Sequence, residues 1–120
     1  LLLSSAASDV YKRQFYKMNT KCGKFVAEMT AFFERFDKEK YGTEGAPLHD
    51  PCVIAYLLEP DIFSGKQINV EIETNSQLTL GMTVADWWGV TEKKANTLFI
   101  GDVDSDKFFD LLTKRIASLP

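Results

Sequence analysis

The chain has 120 residues, 45% hydrophobic and 26% charged, the balance of an ordinary soluble globular domain able to bury a core. Its 14 basic and 17 acidic residues give a formal charge of −3 and a pI near 5.1, which leaves no basic footprint for nucleic acid or an anionic membrane surface. No apolar run approaches the roughly 20 residues of a membrane span, so nucleic acid and membrane are both set aside as partners.

The first fourteen residues, LLLSSAASDVYKRQ, have no initiator methionine, and the apolar head Leu1 to Leu3 is far shorter than a signal-peptide core. They resemble translated adapter read-through of the kind found at the ends of assembled environmental sequences; a genuine disordered N-terminal tail is the alternative. Either way the functional argument starts at residue 15, and the chain divides into a tail, 1–14, and a single functional stretch, 15–120.

From about Thr20 to Lys40 the apolar positions Cys22, Phe25, Val26, Met29, Phe32, Phe33 and Phe36 fall on one stripe about 120° wide at helical spacing. Lys24, Glu28, Glu34, Arg35 and Lys38 take the other side. The pattern predicts an amphipathic helix whose phenylalanines pack on a core and whose end near Gly42 is a left-handed cap. A loop, Tyr41 to Gly45, then delivers the chain to Gly45–Leu58, GAPLHDPCVIAYLL, which contains the only histidine, His49. Asp50 has the side chain of an N-cap and Pro51 suits the first helical position. The run Cys52 to Leu58 has no polar face, so this short helix is expected inside a larger body. On these grounds alone, Asp50 is a cap and His49 its neighbour.

Glu59-Pro60 closes that helix. Gln67 to Thr74 alternates, with Ile68, Val70 and Ile72 on one side and Asn69, Glu71 and Glu73 on the other, the mark of a half-buried strand. After a turn at Asn75-Ser76, Leu78 to Trp88 returns as a second extended segment, predicting an antiparallel hairpin. Thr97 to Val103 is a nearly continuous apolar run, as expected of a strand covered on both faces. Asp104 or Ser105 caps a final helix whose Phe108, Phe109, Leu111, Leu112, Ile116 and Leu119 share a stripe, with Lys114 and Arg115 near its negative end. Cys22 and Cys52, thirty residues apart and without zinc-site spacing, read as buried thiols of a reducing, cytoplasmic compartment. Asp102, Asp104 and Asp106 lack the closing glutamate of a calcium loop and are explained by capping.

The order GAPLHDPCVIAYLLEP, NVEIET, GMTVADWW, over about residues 15 to 120, resembles the C-terminal third of the calcium-dependent, inosine/uridine-preferring nucleoside hydrolases, closest to the bacterial pyrimidine-preferring ribonucleoside hydrolases. The resemblance implies an α/β fold of helix, sheet and helix layers, mostly parallel in the parent with a locally antiparallel hairpin here. It also implies hydrolysis of the N-glycosidic bond of ribonucleosides to ribose and free base by a cytoplasmic homo-oligomer, a dimer or tetramer. His49 would then be the catalytic leaving-group acid, Asp50 a calcium ligand, and Tyr41 and Asp37 substrate contacts, although Tyr41 reads equally well as a packed helix-end aromatic. Breaking the bond leaves an oxocarbenium-like sugar and a base that departs badly as an anion. An imidazole can offer a proton near neutral pH, and a carboxylate is the hard oxygen ligand that calcium takes. Calcium takes about six to eight oxygens, so one aspartate cannot build the site. The family's D-x-D-x-x-x-D-D motif, source of the other carboxylates and of the general base, is absent from this sequence, so the chain by itself is expected to be inactive.

Two other readings stand beside this one. Trp87-Trp88, adjacent in an extended segment, point to opposite faces, and an exposed indole could serve a non-catalytic ligand-binding or oligomerisation module. Alternatively, the chain alone does nothing but aggregate through an unpaired sheet edge.

Overall fold

The computed structural model of the chain describes residues 5–41 and 48–119. In order it contains α1 (Ser5–Lys17), α2 (Lys21–Tyr41), α3 (Asp50–Leu58), a 3₁₀ turn (Pro60–Ile62), β1 (Phe63–Ile72), β2 (Thr83–Asp86), β3 (Thr97–Val103) and α4 (Ser105–Ala117). The elements separate into two compact units, a helical one made of Leu1–Ile62 with Val103–Pro120, and a sheet unit, Phe63–Asp102.

In the helical unit α4 contacts each of the other three helices. Its start is set by Asp104, whose carboxylate accepts from the Lys107 N–H at 3.1 Å, satisfying one of the orphan donors of the first turn. Phe108 is fully buried, and Phe109, Leu111 and Ile116 lie with it on the inward face as their spacing predicts; Leu119, past the helix end, is exposed. α1 begins inside the stretch expected to be a separate tail. The Tyr11 ring stacks on Phe109 with centroids 4.1 Å apart, Lys12 pairs with Glu34, and Phe15 is buried with Ala27 and Ile116. Burial, and secondarily the carboxylates of Asp106 and Asp110, raises the Tyr11 hydroxyl above its ordinary pKa.

α2 has the expected span, but a different face turns inward. Gly23 and Ala27 are buried, Cys22 and Val26 are half-buried, and Phe25, Met29, Phe32 and Phe33 are exposed; the proposed cap at Gly42 lies outside the described residues. The reason is steric. A Cβ on Gly23 would sit 2.6 Å from the Phe15 carbonyl, so α1 and α2 approach each other at the narrowest side chains, which turns the phenylalanine ridge away. Thr20 starts the helix by accepting from the Gly23 N–H at 3.0 Å.

α3 also departs from expectation. It forms where the sequence places it, yet only Ala55 is buried; Val53, Ile54, Leu57 and Leu58 are exposed. α3 packs on α4 and on the 3₁₀ turn that follows it, and these leave most of its apolar surface uncovered.

The sheet has the order β2-β1-β3. β1 and β2 form the expected antiparallel pair, in register Asn69↔Asp86 to Ile72↔Thr83. β2 is shorter than the Leu78 to Trp88 segment because the chain first turns through Gly81, at φ 84°. β3 has the expected bounds but is half-covered rather than enclosed. Gly65 lies against Phe99 and Ile100, while further along β1 the Ile68 carbonyl accepts from Asn96, so contacts run in opposite senses along the two strands; no parallel pair occurs among the described strands. The Asn96 amide continues the ladder beyond β3, accepting from the Val70 N–H at 2.9 Å and donating to the Val70 carbonyl at 3.0 Å. Asp86 closes the turn after β2. It accepts from the N–H groups of Val90 and Thr91 and from the Thr91 hydroxyl, and the Thr91 hydroxyl bond, first among these, holds its carboxyl below the usual range.

Two outcomes follow. Gly23→Val should destabilise the chain by roughly 1 to 3 kcal/mol through overpacking against Phe15, whereas Phe25→Ala should fall within about 0.5 kcal/mol of the parent, both read by urea denaturation. Because the Asp86 carboxyl is depressed in the folded state, its stabilisation is complete above the ordinary aspartate range and is lost as pH falls through the folded value. Asp86→Asn should therefore flatten the acid limb of the melting temperature against pH.

Candidate functional site

α3 positions the only histidine and an aspartate side by side at its N-terminal mouth. His49 occupies the cap position with helix-like dihedrals, φ −84° and ψ −52°, and its carbonyl accepts from the Cys52 N–H at 3.1 Å. Its side chain makes no cap hydrogen bond. Asp50 is thus the first helical residue and not the cap, a correction of one position: His49 has already entered helical geometry, so the turn starts earlier. Pro51, next in line, still falls where a missing N–H costs nothing.

This shift leaves the Asp50 carboxylate without a capping duty. Both His49 and Asp50 are exposed, and among the described residues neither side chain is held by a hydrogen bond or ion pair. The two groups best suited to chemistry therefore project from the end of a helix without being consumed by local structure. Asp37 and Tyr41 lie in the final turns of α2, four residues apart and so on one face, and their side chains are outside the described residues, as is the loop leading to Leu48. Among the described residues, His49 and Asp50 stand side by side at the mouth of α3.

Other candidates are accounted for locally. The Cys52 thiol donates to the Leu48 carbonyl at 3.1 Å and burial pushes its pKa up, which makes it a poor nucleophile; both cysteines are free and half-buried. Asp104 is a cap, held below the usual carboxylate range chiefly by its bond with the Lys107 ammonium. No group of three or more metal-type side chains occurs among the described residues. Asp50 alone does not fit the six to eight oxygens that calcium takes, so these residues cannot hold that ion by themselves.

Trp87 and Trp88 lie in the turn that follows β2, not in the extended segment expected of them, and neither is buried. Trp87 meets Phe99 edge-on at 6.1 Å, beneath the Lys66 ammonium, while Trp88 is 82% exposed. Reading the sequence as a string of elements missed the role of Asp86; the signal was the Asp-x-x-Gly-x-Thr spacing through Thr91, typical of an aspartate that ties down its own turn.

Comparison with known proteins gives this geometry its context. Residues 3–110 match the inosine-uridine preferring nucleoside hydrolase family. The chain belongs to that family. It is 44% identical over 105 residues to a pyrimidine-specific ribonucleoside hydrolase of Klebsiella pneumoniae, covering 87% of this chain and 34% of that protein. An uncharacterized protein of Schizosaccharomyces pombe is 46% identical over 100 residues, 83% of this chain and 32% of its own length. Among solved structures, a purine-preferring ribonucleoside hydrolase from Gardnerella vaginalis superposes with a TM-score of 0.72 at 26% identity, over 97% of this chain and 35% of that one. The chain spans about a third of the length of the curated relatives it matches. The α/β fold is therefore that of nucleoside hydrolases, represented here by one portion.

If Asp50 is not a cap, its removal should leave the fold intact. Asp50→Ala is expected to melt with the parent chain, while Asp104→Ala, which deletes a true cap, should melt measurably lower in the same thermal scan.

Proposed function

We propose that this chain supplies the leaving-group side of a ribonucleoside hydrolase, an enzyme that splits the N-glycosidic bond to ribose and free base, and that it is inactive alone. The observation that carries this reading is the pairing of an unengaged His49 with an unengaged Asp50 at the mouth of α3, in a chain 44% identical to a ribonucleoside hydrolase over most of its length. Residues 15–120 carry the reading; residues 1–14 are assigned no part in it.

As the bond from the anomeric carbon to the base nitrogen breaks, its electron pair goes to the base. A proton from the His49 imidazole at the base converts a poor anionic leaving group into a neutral one, and the carbon left behind is taken by the oxygen of water. The proton lost by that water must go to a base outside this chain. Asp50 is assigned as one carboxylate ligand of a calcium shell whose other ligands also lie outside this chain, and Asp37 and Tyr41 as substrate contacts. A relative is named for pyrimidine nucleosides and a structural neighbour for purine nucleosides, so the substrate class proposed is the ribonucleoside, with no base assigned. The exposed Trp88 supports a further contact between subunits of a homo-oligomeric parent, and the two free thiols support a cytoplasmic setting.

The test places residues 15–120 in frame behind the preceding two thirds of the Klebsiella pneumoniae relative. His49→Ala should lower kcat on uridine by about 10²-fold or more and spare a nitrophenyl riboside, whose leaving group needs no proton. Equal losses on both substrates would remove His49 from the acid role. Asp50→Ala should weaken calcium binding by the same protein, and unchanged binding would remove Asp50 from the metal shell.

A further inference from the structure

The four asparagines of the chain, Asn19, Asn69, Asn75 and Asn96, are followed by Thr20, Val70, Ser76 and Thr97. An asparagine side chain loses ammonia when the backbone nitrogen of the next residue attacks its carbonyl carbon, and a branched Cβ on that residue crowds the approach. Only Ser76 is unbranched. The structure separates the four in the same way. The Asn69 amide donates to the Lys94 carbonyl at 3.0 Å, and the Val70 nitrogen that follows it already donates to Asn96. The Asn96 amide is bound on both sides to Val70. Asn19 is exposed but precedes Thr20, whose hydroxyl starts α2. Asn75 is exposed, and among the described residues no hydrogen bond holds its side chain.

Asn75 stands in the loop that joins β1 to β2. Glu73 closes the base of that loop: its N–H donates to the Met82 carbonyl at 3.0 Å and its carbonyl accepts from the Gly81 N–H at 2.8 Å. Its side chain turns back into the loop, where Oε1 accepts from the N–H of Asn75 at 2.6 Å and from that of Ser76 at 3.1 Å. The Asn75 bond first, and then the Ser76 bond, hold the Glu73 carboxyl below the usual range, so it is ionised and open to a proton at neutral pH. The nitrogen that must attack is therefore the one whose proton already points at a base.

We propose that Asn75 is a site of spontaneous deamidation, with Glu73 as proton acceptor for the attacking Ser76 nitrogen. The Ser76 N–H proton passes to the Glu73 carboxylate as the nitrogen bonds to Asn75 Cγ. The bond from Cγ to Nδ2 then breaks, and Nδ2 leaves as ammonia carrying that proton. Water opens the resulting succinimide at either carbonyl to give aspartate or isoaspartate, and it is the only reagent consumed. Either product sets a second carboxylate beside Glu73, and isoaspartate adds a backbone methylene between the two N–H groups that Glu73 binds.

The experiment keeps the 120-residue chain in warm neutral buffer over weeks and follows the tryptic peptide from Gln67 to Lys93 by mass spectrometry, with fragmentation to separate Asn69 from Asn75. The expected result is conversion at Asn75 ahead of the other three asparagines, with isoaspartate detected by isoaspartyl methyltransferase labelling. Glu73→Gln keeps an acceptor for both N–H groups but removes the base, and should slow the conversion by about tenfold. Ser76→Val restores the branching found after the other asparagines and should bring Asn75 down to their rate. The ranking of the four is read in the parent chain, so it stands whatever either substitution does to the fold. The proposal is overturned by an Asn75 no faster than the others, by conversion indifferent to Ser76→Val, or by a Glu73→Gln chain that converts as fast as the parent or faster, the last showing that the carboxylate protects the loop.

Discussion

The arrangement of the helical unit depends on α4. Its fully buried Phe108 and its inward Ile116 provide the surface on which α1, α2 and α3 each rest, and the Asp104 cap fixes where that surface begins. The Asp104 N–H also donates to the Ile62 carbonyl at 2.8 Å, tying the start of α4 to the turn that follows α3. Since α3 is steadied through α4 and that turn, the direction in which His49 and Asp50 project is set by a helix that carries neither of them.

Small side chains decide the rest of the packing. Gly23 and Ala27 bring α2 close to α1, and Gly65 does the same between β1 and the Phe99 region, where a Cβ would stand 2.4 Å from the Phe99 carbonyl. In each place close backbone approach takes precedence over the burial of larger apolar groups nearby. The consequence is a molecule with an ordered core and extensive uncovered apolar surface: the phenylalanine ridge of α2, the strip of α3, and Leu78, Leu80 and Trp88 in the sheet unit.

Element positions were legible in the sequence because periodicity, caps and turn residues are local signals. α2 and α3 start within a residue of their expected positions, and β3 has its expected ends. What local signals cannot settle is which apolar face meets a neighbour. The stripe from Phe25 to Phe33 has the period of a core face, yet the face chosen was the one with the least side chain. α3 was expected inside because it is wholly apolar, but burial depends on what else is present to cover it. At the site, the adjacency of His49 and Asp50 was readable directly, and its chemical meaning came from family resemblance, since a lone histidine beside a helix start is ordinary. That Asp50 is not the cap needed backbone dihedrals, and the places of Asp37 and Tyr41 relative to His49 depend on the loop between them, which no periodicity describes.

Under the proposed function, His49 and Asp50 are one side of a site whose remaining ligands are not among residues 1–120. Isothermal titration of calcium into the isolated 120-residue chain tests it most directly. The expected result is no saturable heat, because one exposed carboxylate cannot replace the six to eight oxygens of the ion's shell. Stoichiometric calcium binding that disappears in Asp50→Ala would contradict it, showing that the chain builds a complete metal site from its own residues.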